Sequence, residues 1–394
     1  MASNQENNKI KNSYKKNISI TIVDKINDEK LMREWKRLET LTECHPQMYY
    51  DWCRPWWELQ SRKRKLYILM VESNDITIGV APLCIENRMG LKIIRSFPIH
   101  FGDFYEFIIE RNNKKYIYRL ILEYLMEFKQ WSYIQIDQVN SESCLYKHIM
   151  SEELRFKAKT LTGIVELKFS NITFEEYFEA LPTRKRKNIR RRLKRLQEYG
   201  DLKLTIIDNR YEYYGYMGVM KNINEKRWGN DNNILPDEDY EKCRMEAIGK
   251  LYDAGKAVLV LLKLNGEVIA YRLGILHKNT FYAWKFSFDP QYKKYSPGSL
   301  MTRLLVEKLI DRNVSKLNYG CGEYDYKLDW SNKTFDNYNY TIQAANKTIL
   351  AKANMLYQLK WRDSIKSGYH KSLRIKLIKK MMLLLDRLRR RIYL

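Results

Sequence analysis

AVLVLLKLNGEVIAYRLGILHKNTFYAWKFSF, residues 257–288, is the stretch on which the fold turns. Three β-rich runs, 257–264, 267–277 and 280–288, are parted by Asn265-Gly266 and by Asn279-Thr280. Asn-Gly between two such runs is a strong hairpin signal, because a type I′ turn needs positive φ at both central residues. The meander runs on into SPGSLMTRLLVEKLIDR (296–312), where Leu300, Met301, Leu304, Leu305 and Leu309 form one apolar stripe. A strand at 316–320 follows. Three antiparallel strands, a helix and a further strand predict an α/β (α+β) domain on a mixed, mostly antiparallel sheet.

Working outward, the residues upstream read as a strand (163–167), a short segment at 174–181, a basic helix and the strand LKLTIID (202–208). A helix bearing Tyr213, Tyr216, Met217 and Met220 comes next, then another at 237–254. The first half shows the same scheme more loosely. It opens with a strand at 18–23 and a helix at 28–41 with Leu31, Trp35 and Leu38 at helical spacing. An aromatic helix start at 49–57, strands at 65–73, 77–86, 91–97 and 103–110, a helix at 115–128 and a strand at 133–137 complete it. Two tandem domains of one kind are expected, at 18–165 and 166–345, after a disordered lead (1–17) and before a basic amphipathic helical extension (346–394). No Pro- or Gly-rich linker parts the halves, so firm packing is expected.

The chain has 394 residues, 45% of them hydrophobic, which is enough for two cores. No run approaches eighteen apolar residues, so no membrane span is predicted. The polar, lysine-rich start argues for a soluble, cytoplasmic protein. Six cysteines without a C-x-x-C pair and five histidines without an H-E-x-x-H pattern predict no metal site. Net charge is +24, and its placement matters more than its size. Residues 181–195 (LPTRKRKNIRRRLKR) carry nine basic groups and no acid, and residues 346–394 are net +12. The remaining body is nearly neutral, which fits recognition of particular anions better than a surface coated for nucleic acid.

Two places carry candidate chemistry. Ser296-Pro297-Gly298-Ser299 is a helix start with a preferred N-cap, Pro at the first helical position and a glycine that lets a ligand approach. Free amides of Gly298, Ser299 and Leu300 at such an end, with Lys293 and Lys294 just upstream, would suit a diphosphate; the same residues also make a plain helix start. The second place is NYGCGEYDYKLDW (318–330), where two glycines free a turn and carboxylates, tyrosines and a lysine crowd together at a strand end. A polar surface turn is the alternative reading there.

The second half resembles the BioF2-like, CelD-type acetyltransferase (GNAT) family, related to the FemAB aminoacyl transferases. The resemblance rests on Arg184, Arg186, Asn188, Arg190 and Arg191 ahead of Gly200, and on Arg227-Trp228. It continues through Phe288-Asp289-Pro290 with Tyr292 and Tyr295–Gly298, and through Gly322 with Tyr326, Lys327 and Trp330. Weaker first-half matches are Trp52, Trp56 and Trp57, Ala81-Pro82-Leu83, and Gly102-Asp103 with Tyr105. Residues 20–335 are covered. Two departures stand out. Aligned on Gly298, the family's phosphate loop has small or polar outer residues where this chain has Tyr295 and Leu300. No histidine precedes Arg227-Trp228 in 222–226.

The resemblance implies a tandem GNAT-like N-acyltransferase that uses acyl-CoA, acetyl-CoA first, as co-substrate and acylates an amine, with an amino sugar of a surface polysaccharide as the expected acceptor. Lys294, Ser296, Gly298 and Ser299 would hold the co-substrate. Glu323 or Asp325 would take the proton of the ammonium acceptor, and Tyr326 or Tyr319 would protonate the leaving thiolate. Arg184, Arg186, Asn188, Arg191, Arg227, Trp228 and Lys327 would bind a phosphate-bearing amino-sugar or lipid-linked acceptor. Apart from the resemblance, the basic amphipathic pattern of residues 346–394 reads either as a helix touching anionic membrane at the inner face of the cell membrane or as a helix docked back onto the body. The alternatives are a Fem-like transferase taking its acyl group from aminoacyl-tRNA onto a cell-wall peptide and, from another class, a non-enzymatic nucleic-acid-binding protein. Outside the tRNA reading, nucleic acid is not an expected partner.

Overall fold

The computed structural model describes residues 18–343 except 43, 89–90, 100, 112–113, 128–130, 152–155, 161–162, 170–171 and 230–237. The expected lead (1–17) and the basic extension (346–394) lie outside the described residues. The first-half strands are β1 (Ile18–Val23), β2 (Arg64–Leu66), β3 (Ile68–Ser73), β4 (Ile76–Ala81), β5 (Leu83–Arg88), β6 (Leu91–Ser96), β7 (Ile108–Ile109), β8 (Tyr133–Asn140) and β9 (Phe156–Thr160). Those of the second half are β10 (Ile164–Lys168), β11 (Leu202–Ile207), β12 (Ala257–Leu264), β13 (Glu267–His277), β14 (Thr280–Phe288), β15 (Lys316–Cys321), β16 (Lys333–Phe335) and β17 (Asn337–Gln343).

The meander forms as its turns dictate. Asn265 and Gly266 have φ of 52° and 88°, and Leu264 pairs with Glu267 across them. The second turn sits one residue earlier than expected. Lys278 takes the positive φ of 52°, and Thr280, β-branched and suited to a strand, pairs with His277. The second-half sheet runs β11-β12-β13-β14-β15-β10-β16. All its pairs are antiparallel except β14 with β15, which run parallel over three residues, Thr280–Lys316 to Tyr282–Asn318. Beyond that point the two strands part, and the helix Pro297–Asp311 connects them. The first half repeats this device. β6 and β8 pair in parallel over three residues, and the helix Lys114–Glu127 lies between them in sequence. The chain therefore has two tandem halves built on the same device, with mixed, mostly antiparallel sheets.

The first half departs from the expected strands in one instructive way. The runs 65–73 and 77–86 each break in the middle, at Tyr67 and Pro82, and their pieces join different sheets: β1-β3-β4-β7 and β2-β5-β6-β8-β17-β9. Pro82 has no N–H for a ladder. Its carbonyl instead accepts the Tyr105 hydroxyl at 2.7 Å and the Phe97 amide at 3.2 Å. The strand expected at 103–110 shrinks to Ile108-Ile109, because cross-chain bonds replace its ladder. The Asp103 amide donates to Gln47 Oε1 at 2.9 Å and the Tyr105 amide to the Gln138 carbonyl at 3.0 Å. The helix expected around Tyr213–Met220 is two helices, Arg210–Gly215 and Met217–Trp228, meeting at Tyr216.

β17 leaves the second half and inserts between β8 and β9, so the two halves share a sheet. They also share a core. One buried cluster runs from Leu31, Trp35 and Trp52 through Ile134 to Tyr213, Leu251, Tyr271 and Tyr340. A second lies on the other face of the second-half sheet, where Ile189, Leu196, Leu300, Leu305 and Trp330 meet. Among the described residues, no helix is long and apolar enough to cross a membrane.

Candidate functional site

The site lies where β14 and β15 part. Arg272 on β13 pairs in register with Phe286 on β14, four residues past the end of the parallel pairing. Its side chain is 2% exposed, with the guanidinium 4.9 Å from the Phe286 ring and 5.5 Å from the Tyr319 ring. Its Nε is buried without a partner. Arg227, at the end of the helix Met217–Trp228, approaches the same ring from 5.4 Å, lies 4.3 Å from Phe288 and 4.5 Å from Trp228, and donates to the Phe286 carbonyl at 3.2 Å. Burial lowers both guanidinium pKa values, and tyrosines are the groups that oppose the shift.

Tyr319 and Tyr326 close this cleft. Burial pushes the Tyr319 phenol up to about 12, and its hydroxyl is 3.5 Å from Thr302 Oγ1. Tyr326 stacks on Tyr324 with ring centroids 6.0 Å apart, and burial also raises its pKa against the pull of Arg272 and Arg227. The candidate catalytic Tyr326 thus lies within electrostatic reach of Arg227, although 98 residues separate them in sequence.

Lys327 stands differently from its expected ligand-binding role. Its buried Nζ donates to the Tyr319 carbonyl at 2.9 Å and to the Cys321 carbonyl at 2.6 Å, fixing the end of β15. Burial lowers its pKa and the nearby Asp103 carboxylate opposes the shift. Asp103 reaches this strand end from the first half. Burial raises its carboxyl pKa, against hydrogen bonds from Cys321 and the charge of Lys327. Glu323 and Asp325, the expected bases, are both exposed, and Glu323 lies against Gly163. Asp103 also lines a cavity of about 350 Å³ between the halves, together with Gln138, Arg244, Trp284 and Lys285. Burial and the Arg244 cation push the Lys285 ammonium down to about 7, even with a Glu241 oxygen 3.6 Å away.

The helix start differs from the expected anion cradle. Ser296 is at the N-cap, but in left-handed conformation (φ 52°, ψ 64°) and without a side-chain cap bond. Its carbonyl accepts the amides of Ser299 at 2.9 Å and Leu300 at 3.2 Å, so two of the three amides expected to be free are engaged. Gly298 packs tightly, since a Cβ there would stand 3.0 Å from the Phe286 ring. Lys294 is exposed beside it, 5.0 Å from the Tyr295 ring.

The basic helix Thr183–Gln197 buries Ile189 and Leu196. Arg186 is committed to Glu179 and Thr183, and Arg190 also pairs with Glu179. Asn188 accepts from Arg191 at 3.1 Å, while Arg184 and Arg191 face solvent. A hydrogen bond with Tyr199, and then the charges of Lys294 and of Arg195 from this helix, hold the Tyr295 phenol below its ordinary pKa.

Sequence reasoning missed Arg272 and gave Asp103 no role. The first carried a signal, a lone arginine in the apolar strand 267–277, where a buried charge without a salt-bridge partner invites a functional explanation. The second was visible only as a Gly-Asp turn.

Residues 183–328 match the acetyltransferase (GNAT) domain family. No curated protein matches the chain. The crystal structure of FemX superposes with a TM-score of 0.58 at 13% identity, covering 87% of this chain and 99% of that one. A conserved protein of unknown function from Bacteroides thetaiotaomicron gives 0.53 at 12% identity, over 82% and 100% of the two chains. The C-terminal domain of a putative lysylphosphatidylglycerol synthetase from Agrobacterium fabrum gives 0.50 at 10%, over 83% and 94%. Residues 183–328 thus carry a GNAT-type acyltransferase domain, and the chain shares its tandem fold with FemX.

Proposed function

We propose that this GNAT-type acyltransferase moves an acyl group from acyl-CoA, acetyl-CoA first, onto the amino group of an acceptor that enters between the two halves. The observation that carries this reading is the parting of β14 and β15 after three paired residues, with Tyr319 and Tyr326 both within electrostatic reach of Arg272 and Asp103 at the end of β15. An extended thioester can lie in that opening and pair with strand backbone. The amine attacks the thioester carbonyl and the thiolate leaves. The ammonium must first lose a proton, and a carboxylate with a raised pKa is suited to take it. Asp103 has that property, while Glu323 and Asp325 are the exposed alternatives at the same turn. Tyr326 or Tyr319 returns a proton to the thiolate.

An amino sugar bearing phosphate, free or lipid-linked, is the acceptor we favour, because the cavity residue Arg244 is cationic and Trp284 offers a face for a sugar ring. Residues 346–394 would hold the enzyme near an anionic membrane in that case. The Fem-like reading, with aminoacyl-tRNA as donor, is favoured by one specific observation. The Ser299 and Leu300 amides that would cradle a CoA diphosphate are already bonded, while the exposed Arg184 and Arg191 offer sites for a nucleic-acid backbone.

Thiol release from acetyl-CoA, assayed across a panel of amino sugars, tests the proposal. Asp103→Asn is expected to lower turnover by about 100-fold or more while leaving acetyl-CoA affinity unchanged. If Asp103→Asn turns over normally and Glu323→Gln or Asp325→Asn does not, the base belongs to the exposed turn. Consumption of charged tRNA with no thioester turnover would establish the Fem-like reading instead.

A further inference from the structure

Arg272 is 2% exposed, sits on a central strand, and its guanidinium makes no hydrogen bond to any described residue. Its Nε is sealed off, and its surroundings are rings: Phe286 at 4.9 Å and Tyr319 at 5.5 Å. The second guanidinium, Arg227, flanks the same Phe286 ring from 5.4 Å, and its one hydrogen bond goes to a neutral carbonyl. The third cation, Lys327, is near enough for Arg272 to act on its charge. Among the described residues, no carboxylate bonds either guanidinium. Asp289, the acid beside Phe288, is held by Lys226 at 2.7 Å and by the Gln291 amide at 3.1 Å. Two unneutralised guanidiniums around one aromatic ring, inside the reaction cleft, are a receptor waiting for an anion.

We propose that Arg272, assisted by Arg227, binds a carboxylate of the substrate next to the reacting carbonyl. Planarity and two oxygens match the guanidinium fork, and the Phe286 and Tyr319 rings against which the Arg272 guanidinium lies hold that fork in place. This deepens the reading of the cleft as the acyl-transfer site. The carboxylate arrives either on the acyl chain, as in a monoacyl thioester of a dicarboxylic acid, or on the acceptor, as in an α-amino acid. Both sources place it within a few bonds of the new amide.

Thermal denaturation of the full chain separates the cases. Succinyl-CoA raising the wild-type Tm by at least several degrees more than acetyl-CoA places the carboxylate on the acyl group. An amino acid raising Tm where its decarboxylated amine does not places it on the acceptor. In either case the increment is expected to vanish in Arg272→Met and to fall sharply in Arg272→Lys, which keeps the charge and loses the fork. Arg272→Met without ligand is expected to match or exceed the wild-type Tm, since it removes an uncompensated charge. The proposal is overturned if neither carboxylate probe outdoes its neutral counterpart, if the increment survives in Arg272→Met, or if inorganic phosphate protects as well as the carboxylates do. Failure of acetyl-CoA to bind the wild type would count against the acyl-CoA reading alone, because the amino-acid arm does not depend on it.

Discussion

At Gly320 the backbone has φ +68°, and a Cβ there would run into the Asp103 carboxylate. One glycine thus does two things: it turns β15 and makes room for an acid from the other half. Gly320→Ala is expected to cost about 2 kcal/mol or more, from left-handed strain and displacement of Asp103. Urea denaturation would read the stability, and turnover should fall together with it. An alanine variant as stable and active as the wild type would mean that Asp103 does not need its present place. Lys327 belongs to the same arrangement. The sequence marks it as a ligand-binding cation, but its Nζ is spent on the carbonyls of Tyr319 and Cys321. A lysine in a motif is legible from the sequence; what its ammonium reaches depends on a strand end that only the fold supplies.

Among elements, the 257–288 meander was readable because every cue for it is local: alternating β-rich runs, Asn-Gly, and a proline-started apolar helix after it. The first-half strands were harder. Runs 65–73 and 77–86 have the right composition, yet Pro82 and Tyr67 divide them between two sheets. β17 is harder still, since its partners β8 and β9 lie about 180 to 200 residues back. The pairing of β5, β6 and β8 is held by a buried ionic cluster, in which Arg95 joins Glu86 at 3.0 Å and also Asp137, itself bonded by Gln135 at 2.9 Å. Asp137→Ala leaves Arg95, 4% exposed, with half its compensation. A loss of about 3–5 kcal/mol in denaturant unfolding is expected. A loss below about 1 kcal/mol would show that the cluster contributes little.

Across the whole molecule, function depends on surfaces from both halves. Asp103, Gln138 and Phe101 face Arg244, Trp284 and Lys285 across the shared cavity, and Trp52 meets Trp284 at 5.0 Å. Such a site joins residues some 180 positions apart, so spacing in the sequence could not reveal it. The electrostatics of the cavity have a measurable consequence. Lys285 titrates near 7 in the fold and near 10.4 when unfolded. Below about pH 7 the fold must bury its ammonium. Between about 7 and 10 the unfolded chain holds that proton and the native chain does not, so stability rises with pH across this window. The wild-type Tm is expected to rise relative to that of Lys285→Met between pH 7 and 9.5. Parallel curves would place Lys285 in an ordinary solvated setting.

Amide hydrogen exchange on the full chain, with and without acetyl-CoA, addresses the reaction cleft most directly, because it locates the donor whatever the acceptor proves to be. Slowed exchange is expected at 284–288 and 318–322, the two diverging strand ends, and at Gly298 on the helix between them. Protection that leaves both strand ends untouched, or that appears only with charged tRNA, would contradict an acyl-CoA site between β14 and β15.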